Sequence, residues 1–223
     1  MEQDWEAIYK DQGYRAVYPS EYIIRFISKY YGKLVPFTKH EEFKELKVLD
    51  LGCGSGRHVI FLANENFDTY GLEQSEEGVK FTQQWLKFKN LNASVIKGMM
   101  TEIPFDNEFF DVLVDFQSIQ HNVWKDIKAS AEEIYRVLKK EGMAFLVIRS
   151  SEDYLANKGI VIETNTCSNI QEGDMMDAGI CHFFTKKEID ELFSKFKVLS
   201  IDKNLRSVEN GKFITEWLIT LKK

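Results

Sequence analysis

The chain has 223 residues, of which 44% are apolar and 29% charged, and this composition is typical of a globular domain with a sizeable core. Its 29 basic and 35 acidic residues give a formal net charge of −6, opposite to the charge expected of a protein that follows a nucleic-acid backbone. The three cysteines lack Cys-x-x-Cys spacing and no apolar run is long enough to cross a bilayer. We therefore expect a cytoplasmic protein without a disulfide framework, a metal site or a membrane partner.

The predicted elements begin with a helix over residues 20–31, where apolar side chains recur at helical spacing and Ser20 can cap the first turn. Strand and helix patterns then alternate. The strands are predicted at 47–51, 68–73, 93–97, 111–116 and 143–148, and the helices between them at 56–66, 75–90 and 128–140. This alternation predicts an α/β fold in which a doubly wound, mostly parallel sheet carries helices on both faces.

The end of the chain departs from this alternation. Thr185 and Glu188 form a capping-box pattern that predicts a helix to about residue 196, and two strand-like runs follow at 197–202 and 213–221. A terminal hairpin of this kind brings the predicted sheet to seven strands, one of them antiparallel, within a single domain.

The predicted domain organisation has two parts, a helical or lid segment over residues 1–45 and the main domain over residues 46–223. In the main domain, residues 151–181 separate the fifth strand from the next helix, which is long for a connection in a compact domain. We predict that this insertion forms a partly ordered cap over the strand ends, where open α/β sheets bind ligands. A mobile surface excursion is the alternative.

A glycine-dense turn follows the first predicted strand. Gly52, Gly54 and Gly56 let the backbone adopt left-handed torsions and approach a ligand closely. A dinucleotide fingerprint has a third glycine at the position that Arg57 holds here. The Asp50 carboxylate repels a pyrophosphate but attracts a sulfonium and an ammonium group, which favours a cationic ligand. A purely structural turn or a NAD site remains the alternative.

The run Asp50-x-Gly-x-Gly-x-Gly56 resembles the first motif of the class I S-adenosylmethionine-dependent methyltransferases. The resemblance extends over about residues 46–150 and implies S-adenosylmethionine as the cofactor. It implies cofactor-binding roles for the residues of the turn and of the next three strand ends, which are Asp50, Gly52, Cys53, Gly54, Gly56, Glu73, Gln74, Met99, Met100, Thr101, Asp115, Phe116 and Gln117.

Three strand ends carry the individual roles. Glu73 ends the second strand about 20 residues after the turn, where an acidic side chain can accept hydrogen bonds from ribose hydroxyls. Met99 stands where the family often has an acidic residue that receives the adenine amino group, so adenine recognition falls to backbone groups, Thr101 or apolar contact. The run from Asp115 to Gln117 resembles the segment that lines the methionine end of the cofactor.

Methyl transfer is an in-line displacement for which the protein supplies alignment, desolvation and, for hydroxyl acceptors, a base. His121 and His182 are the candidate bases because imidazole titrates near neutrality, although a histidine at the end of an element is often only a local hydrogen-bond partner. Arg149 is a candidate partner for an anionic substrate group, or an ordinary surface arginine. Tyr14 and Tyr18 belong to an aromatic N-terminal segment that we expect to contact substrate as a lid.

The resemblance, the acidic charge and the cap together predict methyl transfer to a small molecule, with the acceptor atom (oxygen, nitrogen or carbon) left open. A protein or RNA methyltransferase is one alternative. A non-catalytic S-adenosylmethionine-binding regulatory subunit is another, motivated by Met99 in the adenine loop, and a NAD-linked reductase is a third.

Overall fold

The computed structural model describes residues 5–10, 15–32, 41–176 and 178–223. Its strands are β1 (Lys47–Leu51), β2 (Asp68–Glu73), β3 (Ser94–Lys97), β4 (Phe110–Phe116), β5 (Leu138–Arg149), β6 (Ile160–Glu163), β7 (Thr166–Ser168), β8 (Cys181–His182), β9 (Lys197–Ser207) and β10 (Phe213–Lys222). Its α-helices are α1 (Trp5–Lys10), α2 (Glu21–Tyr30), α3 (Arg57–Asn64), α4 (Glu76–Lys89), α5 (Trp124–Val137) and α6 (Lys186–Leu192).

Seven strands form the central sheet in the order β3-β2-β1-β4-β5-β10-β9. The first five run parallel to one another, whereas β10 runs antiparallel to both β5 and β9. Apolar clusters cover the two faces of this sheet, one packed around α5 and α6 and the other around α2. The predicted α/β fold, with seven strands and one antiparallel strand, is confirmed.

The helix caps lie where the sequence predicts them. The Ser20 hydroxyl accepts a hydrogen bond from the Tyr22 N–H, and the Ser75 hydroxyl accepts one from the Gly78 N–H. Thr185 and Glu188 form the complete capping box at the start of α6. These bonds satisfy N–H groups that the first turn of a helix leaves unpaired.

The boundary between α5 and β5 differs from the prediction. The helix begins at Trp124 and not at residue 128, because the Glu163 carboxylate of the insertion accepts a hydrogen bond from the Trp124 N–H. The strand begins at Leu138 and not at residue 143. Leu138 is fully buried and pairs with Phe110, and the register of the β4–β5 pairing shifts before Val112 pairs with Met143.

Residues 151–181 contain a second, three-stranded sheet in the order β6-β7-β8, with both strand pairs antiparallel. It has its own apolar core, which includes Leu155, Ile170 and Met175. A single bridge between Ser150 and Phe184 joins the chain entering and leaving this insertion. Within the described ranges, no helix is both long and apolar enough to span a bilayer.

Candidate active site

A cavity of about 470 Å³ opens at the carboxyl ends of the parallel strands. The strand order reverses between β1 and β4, and open α/β sheets bind ligands at such a reversal. The volume falls within the range of small-molecule sites. The floor consists of residues at or just after the ends of β1 to β4, namely Gly52, Cys53, Gly54, Ser55, Glu73, Gln74, Gly98, Met99, Met100, Phe116 and Ser118.

The roof comes from the N-terminal segment and from the insertion. Trp5 and Tyr9 of α1 line the cavity from one side, and Asp174 and Met175 line it from the other. Helix α1 is held by the Glu6 carboxylate, which accepts hydrogen bonds from the Ser75 hydroxyl at 2.7 Å and the Glu77 N–H at 3.2 Å. A carboxylate is favourable here because the N-terminus of α4 carries partial positive charge.

The glycine turn has a shape that requires glycine. The φ angles of Gly52, Gly54 and Gly56 are 66°, 55° and 87°, in the left-handed region that other residues rarely adopt. A Cβ on Gly54 would lie 2.5 Å from the Tyr9 hydroxyl, and one on Gly52 would lie 2.4 Å from the Ser118 Cβ. The turn lines the cavity. Neighbouring side chains pack so closely against it that neither Gly52 nor Gly54 has room for a Cβ.

Glu73 holds the turn in place. Its carboxylate accepts hydrogen bonds from the Gly54 N–H and the Ser75 N–H, both at 2.8 Å, and the residue is 5% exposed. Burial raises the pKa of Glu73, and the two N–H donors oppose that rise. Because each carboxylate oxygen has a second lone pair, Glu73 keeps capacity to accept further hydrogen bonds from the cavity.

From the sequence we expected the Asp50 carboxylate at the mouth of the cavity. The structure has it beneath the turn instead, outside the lining residues. It is 1% exposed, and its Oδ1 lies 3.7 Å from His58 Nδ1. His58 Nε2 accepts a hydrogen bond from the Ser20 N–H at 3.2 Å, so the ring proton is on Nδ1 and points to Asp50. The other oxygen, Asp50 Oδ2, is buried without a hydrogen-bond partner among the described residues.

The loop after β3 brings Met99 and Met100 to the cavity but not Thr101. Met99 is 49% exposed. Met100 is fixed by the Asn122 side-chain amide, whose nitrogen lies 3.3 Å from the Met100 sulfur. This part of the cavity is apolar, and it presents methionine sulfur and backbone groups to a ligand.

The end of β4 divides its residues between the cavity and the core. Phe116 and Gln117 line the cavity, whereas Asp115 is fully buried behind them. The Asp115 carboxylate accepts hydrogen bonds from the Ser118 and Ile119 N–H groups, both at 3.0 Å. Burial raises the pKa of Asp115 to about 7. Asp115 thus holds the short 3-10 helix Ile119–His121 and does not reach the cavity.

His121 has one ring nitrogen bound by the insertion, and its side chain lines the cavity. Its Nδ1 lies 2.8 Å from the Ile180 carbonyl oxygen, and a carbonyl only accepts, so Nδ1 carries the proton and Nε2 is a free lone pair. The Trp5 ring meets the imidazole edge to face at 5.1 Å. Burial lowers the pKa of His121 to about 4, which keeps the ring neutral.

His182, the other histidine that the sequence predicts as a base, is not among the residues that line the cavity. It is completely buried and stacks on Trp124 with ring centroids 5.2 Å apart. Its Nδ1 lies 2.7 Å from the Thr166 hydroxyl, and its Nε2 lies 3.7 Å from the Glu188 carboxylate. His182 therefore joins three elements. It contacts the insertion through Thr166, α5 through Trp124 and α6 through Glu188.

Arg149 is also buried, at 1% exposure. Its guanidinium binds the carboxylates of Asp153 at 2.8 Å and Asp174 at 2.5 Å, so the structure pairs the arginine predicted to bind a substrate anion with two protein carboxylates. Tyr18, for which a substrate contact is predicted, is 81% exposed and is not among the lining residues. Tyr14 lies outside the described residues.

Sequence reasoning missed several lining residues. Asn122 follows His121 directly, so its place beside a candidate base is a local signal that was available. Arg15 lies in the predicted lid segment. Asp174 and Met175 belong to no motif, and only the folding of the insertion brings them to the cavity.

A family model described as "Methyltransferase domain" matches residues 48–142. Among curated relatives, the 2-methyl-6-phytyl-1,4-hydroquinone methyltransferase 1 of Oryza sativa subsp. japonica is 31% identical over 104 residues, 46% of this chain and 30% of that protein. The ubiquinone biosynthesis O-methyltransferase of Rickettsia akari is 24% identical over 128 residues, 56% of this chain and 46% of that protein. The matches span less than half the length of these relatives.

Among solved structures, a SAM-dependent methyltransferase of Methanosarcina mazei has the same fold. It superposes with a TM-score of 0.69 at 20% identity, covering 86% of this chain and 98% of that chain.

The floor of the cavity fits S-adenosylmethionine in shape and in charge. The glycine turn offers close approach to its backbone, and the unpartnered Asp50 oxygen lies beneath that turn, where an uncompensated carboxylate attracts a cationic ligand. The sheet order, the glycine turn at the strand reversal and the match over residues 48–142 show that this part of the chain resembles a methyltransferase domain and that the fold is the one found in S-adenosylmethionine-dependent methyltransferases.

Proposed function

We propose that this protein transfers a methyl group from S-adenosylmethionine to a hydroxyl oxygen of a small molecule, with His121 as the general base. The observation that carries the proposal is the fixed tautomer of His121. The Ile180 carbonyl binds the protonated Nδ1, so the lone pair of Nε2 remains available to the cavity that His121 lines. An imidazole held in this way accepts a proton from a hydroxyl as the new bond forms.

The residues of the floor bind the cofactor in this proposal. Bound there, S-adenosylmethionine supplies a methyl group activated by its sulfonium. The backbone of residues 52–56 and the carboxylate of Glu73 hold the nucleoside, with Glu73 accepting hydrogen bonds from the ribose hydroxyls. Met99 and Met100 contact the adenine, and Phe116 lines the methionine end.

The residues of the roof separate the acceptor from bulk water. Trp5 packs against His121, and Met175 is buried within the insertion while it lines the cavity. Excluding water strengthens the hydrogen bond from the acceptor hydroxyl to His121 and places the reacting oxygen in one orientation. Because the imidazole is neutral, this hydroxyl meets a proton acceptor and not a cation.

A small acceptor is supported by the cavity and by two relatives. The cavity of about 470 Å³ is covered from two sides. Such a cavity suits a small molecule that it can enclose better than it suits part of a protein or RNA surface. The rice and Rickettsia relatives are named for a hydroquinone substrate and for O-methylation in ubiquinone biosynthesis. The net charge of −6 also disfavours RNA.

The test is S-adenosylhomocysteine formation by the purified chain with a panel of phenols and alcohols. We expect product with at least one hydroxyl acceptor and none with matched methyl ethers. Calorimetry with S-adenosylhomocysteine and with NAD is run in parallel. Binding of S-adenosylhomocysteine without product across the panel would favour the regulatory-subunit alternative, and binding of NAD alone would favour a reductase.

A further inference from the structure

Four polar side chains on the side of the cavity near the insertion share one property, and we call them the acceptor wall. Each presents a hydrogen-bond acceptor because its own donors, where it has any, are bound by protein groups. The wall consists of His121, Gln117, Asn122 and Asp174, all of which line the cavity. Such a wall binds hydrogen-bond donors and repels anions.

Gln117 is the most strongly oriented member. Its Nε2 donates a hydrogen bond to the Oε1 of Glu216, a residue of β10 that is 3% exposed. A carboxylate only accepts hydrogen bonds, so the amide nitrogen must face Glu216 and the amide oxygen must face away from it. The cavity therefore receives the carbonyl oxygen of Gln117.

Glu216 is itself fixed in this orientation. Its Oε2 accepts hydrogen bonds from the Tyr22 hydroxyl at 3.2 Å and the Asn204 side-chain nitrogen at 3.3 Å. Burial and the charge of Glu216 raise the pKa of Tyr22 to about 12, so the hydroxyl stays protonated and continues to donate. The carboxylate thus has three neutral donors and is buried, an arrangement that is unfavourable unless all of its bonds are made.

The backbone of Gln117 is also held in an unfavourable conformation. Its φ angle is 59°, in the left-handed region that a residue with a Cβ rarely adopts. The Gln117 N–H donates to the Val147 carbonyl at 2.8 Å, which keeps the residue at this angle. Strained residues held by their surroundings concentrate at functional sites, and here the strain directs one amide into a cavity.

The other members lose their donors in the same way. Asn122 donates from its side-chain nitrogen to the Ile119 carbonyl at 3.2 Å, which leaves its Oδ1 as an acceptor. His121 donates from Nδ1 to Ile180. The carboxylate of Asp174 is 42% exposed and bound to Arg149, and it carries no donor.

Three arginines lie near this wall, and one of them, Arg149, binds a member of it. Arg149 binds the carboxylates of Asp153 and Asp174, and its Nε is buried without a hydrogen-bond partner among the described residues. Arg15 donates to the Tyr9 carbonyl and lies over the Phe81 ring, and Arg57 lies over the Phe116 ring at 4.7 Å. Arg15 and Arg57 also line the cavity, and the buried Nε of Arg15 has no hydrogen-bond partner among the described residues.

We propose that Gln117 determines substrate specificity by accepting a hydrogen bond from a second hydroxyl of the methyl acceptor. The substrate class that follows is an uncharged compound with two or more hydroxyls on an apolar frame, because the wall repels anions and the roof residues Trp5 and Met175 supply apolar lining. This inference rests on the proposed function, in which the first hydroxyl donates to His121.

The test measures binding to the protein saturated with S-adenosylhomocysteine, so that no turnover is needed. The probes are catechol, phenol and benzoate, titrated by NMR against wild type, Gln117→Leu and the control Gln171→Leu, whose side chain is exposed on the insertion. We expect wild type and Gln171→Leu to bind catechol about five-fold more tightly than phenol. Gln117→Leu binds the two equally, and benzoate binds most weakly throughout.

Each outcome decides one proposal. Equal binding of catechol and phenol to wild type overturns the role of Gln117 without requiring any variant to fold, and so does preferred binding of benzoate. A catechol preference that survives Gln117→Leu also overturns it. Failure of methyl transfer to every hydroxyl acceptor contradicts the proposed function instead, because the binding preference is read separately from turnover.

Discussion

The floor and the roof of the cavity are built by different means. The floor is backbone, with a glycine turn at left-handed φ angles in which the Gly54 N–H donates a hydrogen bond to the buried Glu73 carboxylate. The roof is held by side chains, with Glu6 binding the N-terminus of α4 and Arg149 binding Asp174 of the insertion. The floor lies on strand ends that neighbouring strands fix, whereas the roof comes from segments outside the sheet.

This difference separates what is common to the family from what is particular to this chain. The shape of a backbone floor is limited by steric contacts, so few sequences can form it. Its motif is therefore short and can be recognised in the sequence. A roof made of side-chain contacts can be assembled in many ways. We therefore expect the floor to set the cofactor and the roof to set the acceptor, with His121 at the junction of the two.

The largest expected effect is at that junction. His121→Gln keeps a polar side chain of similar length but removes the proton acceptor, and we expect turnover to fall by about two to four orders of magnitude. Affinity for S-adenosylhomocysteine, measured by calorimetry, should change by less than about two-fold, because the floor is untouched.

His182→Gln is the matched control for that variant. His182 is buried outside the cavity, so its loss should lower the free energy of unfolding and leave the turnover of the folded protein near that of wild type. A His121→Gln enzyme with more than a tenth of wild-type turnover would contradict the assignment of the base.

The next effect concerns the attachment of the roof. Arg149→Met leaves the buried Asp153 carboxylate without its cation, and we expect the free energy of unfolding to fall by about 3–5 kcal/mol in a denaturant titration. Arg25→Met is the control, because the Arg25–Glu21 pair is exposed, with 74% and 65% of the side chains accessible, and should change stability by less than about 0.5 kcal/mol. Equal effects of the two substitutions would show that the insertion is held by other contacts.

The same division explains how far the sequence was informative. The strands β1 and β2 and the caps at Ser20, Ser75 and Thr185 follow from local patterns, and the structure has them at the predicted residues. Local patterns also brought Glu73 and the glycine turn to attention, because strand, turn and helix are adjacent in the chain.

Predictions failed where a distant segment decides the outcome. The start of α5 depends on Glu163, 39 positions further along the chain. Arg149 follows a strand and looked accessible, but Asp174 of the insertion neutralises it. His121 and His182 have similar sequence contexts, and their contacts with distant residues distinguish them. Trp124 stacks on His182, whereas the Ile180 carbonyl accepts a hydrogen bond from His121.

A smaller effect is expected at the floor. Glu73→Gln replaces one carboxylate oxygen by a donor that faces a backbone N–H, so the turn loses a charge-assisted bond. We expect S-adenosylhomocysteine to bind about ten-fold more weakly by calorimetry. Glu132→Gln, an exposed change on α5, should leave the affinity unaltered. Undiminished binding by Glu73→Gln would remove Glu73 from the cofactor site.

The smallest effect is the pH dependence of turnover, and it tests how the roof tunes His121. Burial lowers the pKa of His121 from its ordinary 6.5 to about 4, and the Arg149 charge acts in the same direction, against the bond to Ile180. The neutral ring is the active form, so protonation reduces turnover only as pH falls toward 4. With an acceptor that does not ionise in the range, kcat/KM should change by less than about two-fold between about pH 5 and pH 7.5.

One other buried group titrates within that range and has to be separated from His121. Burial raises the pKa of Asp115 to about 7, and its carboxylate binds the 3-10 helix that carries His121. Asp115→Asn removes this titration while an amide oxygen remains to accept a backbone N–H. A slope near pH 7 that disappears in Asp115→Asn belongs to Asp115, whereas an acidic limb centred near 6.5 in both proteins would show that His121 is solvated like a surface histidine and that the roof does not enclose it.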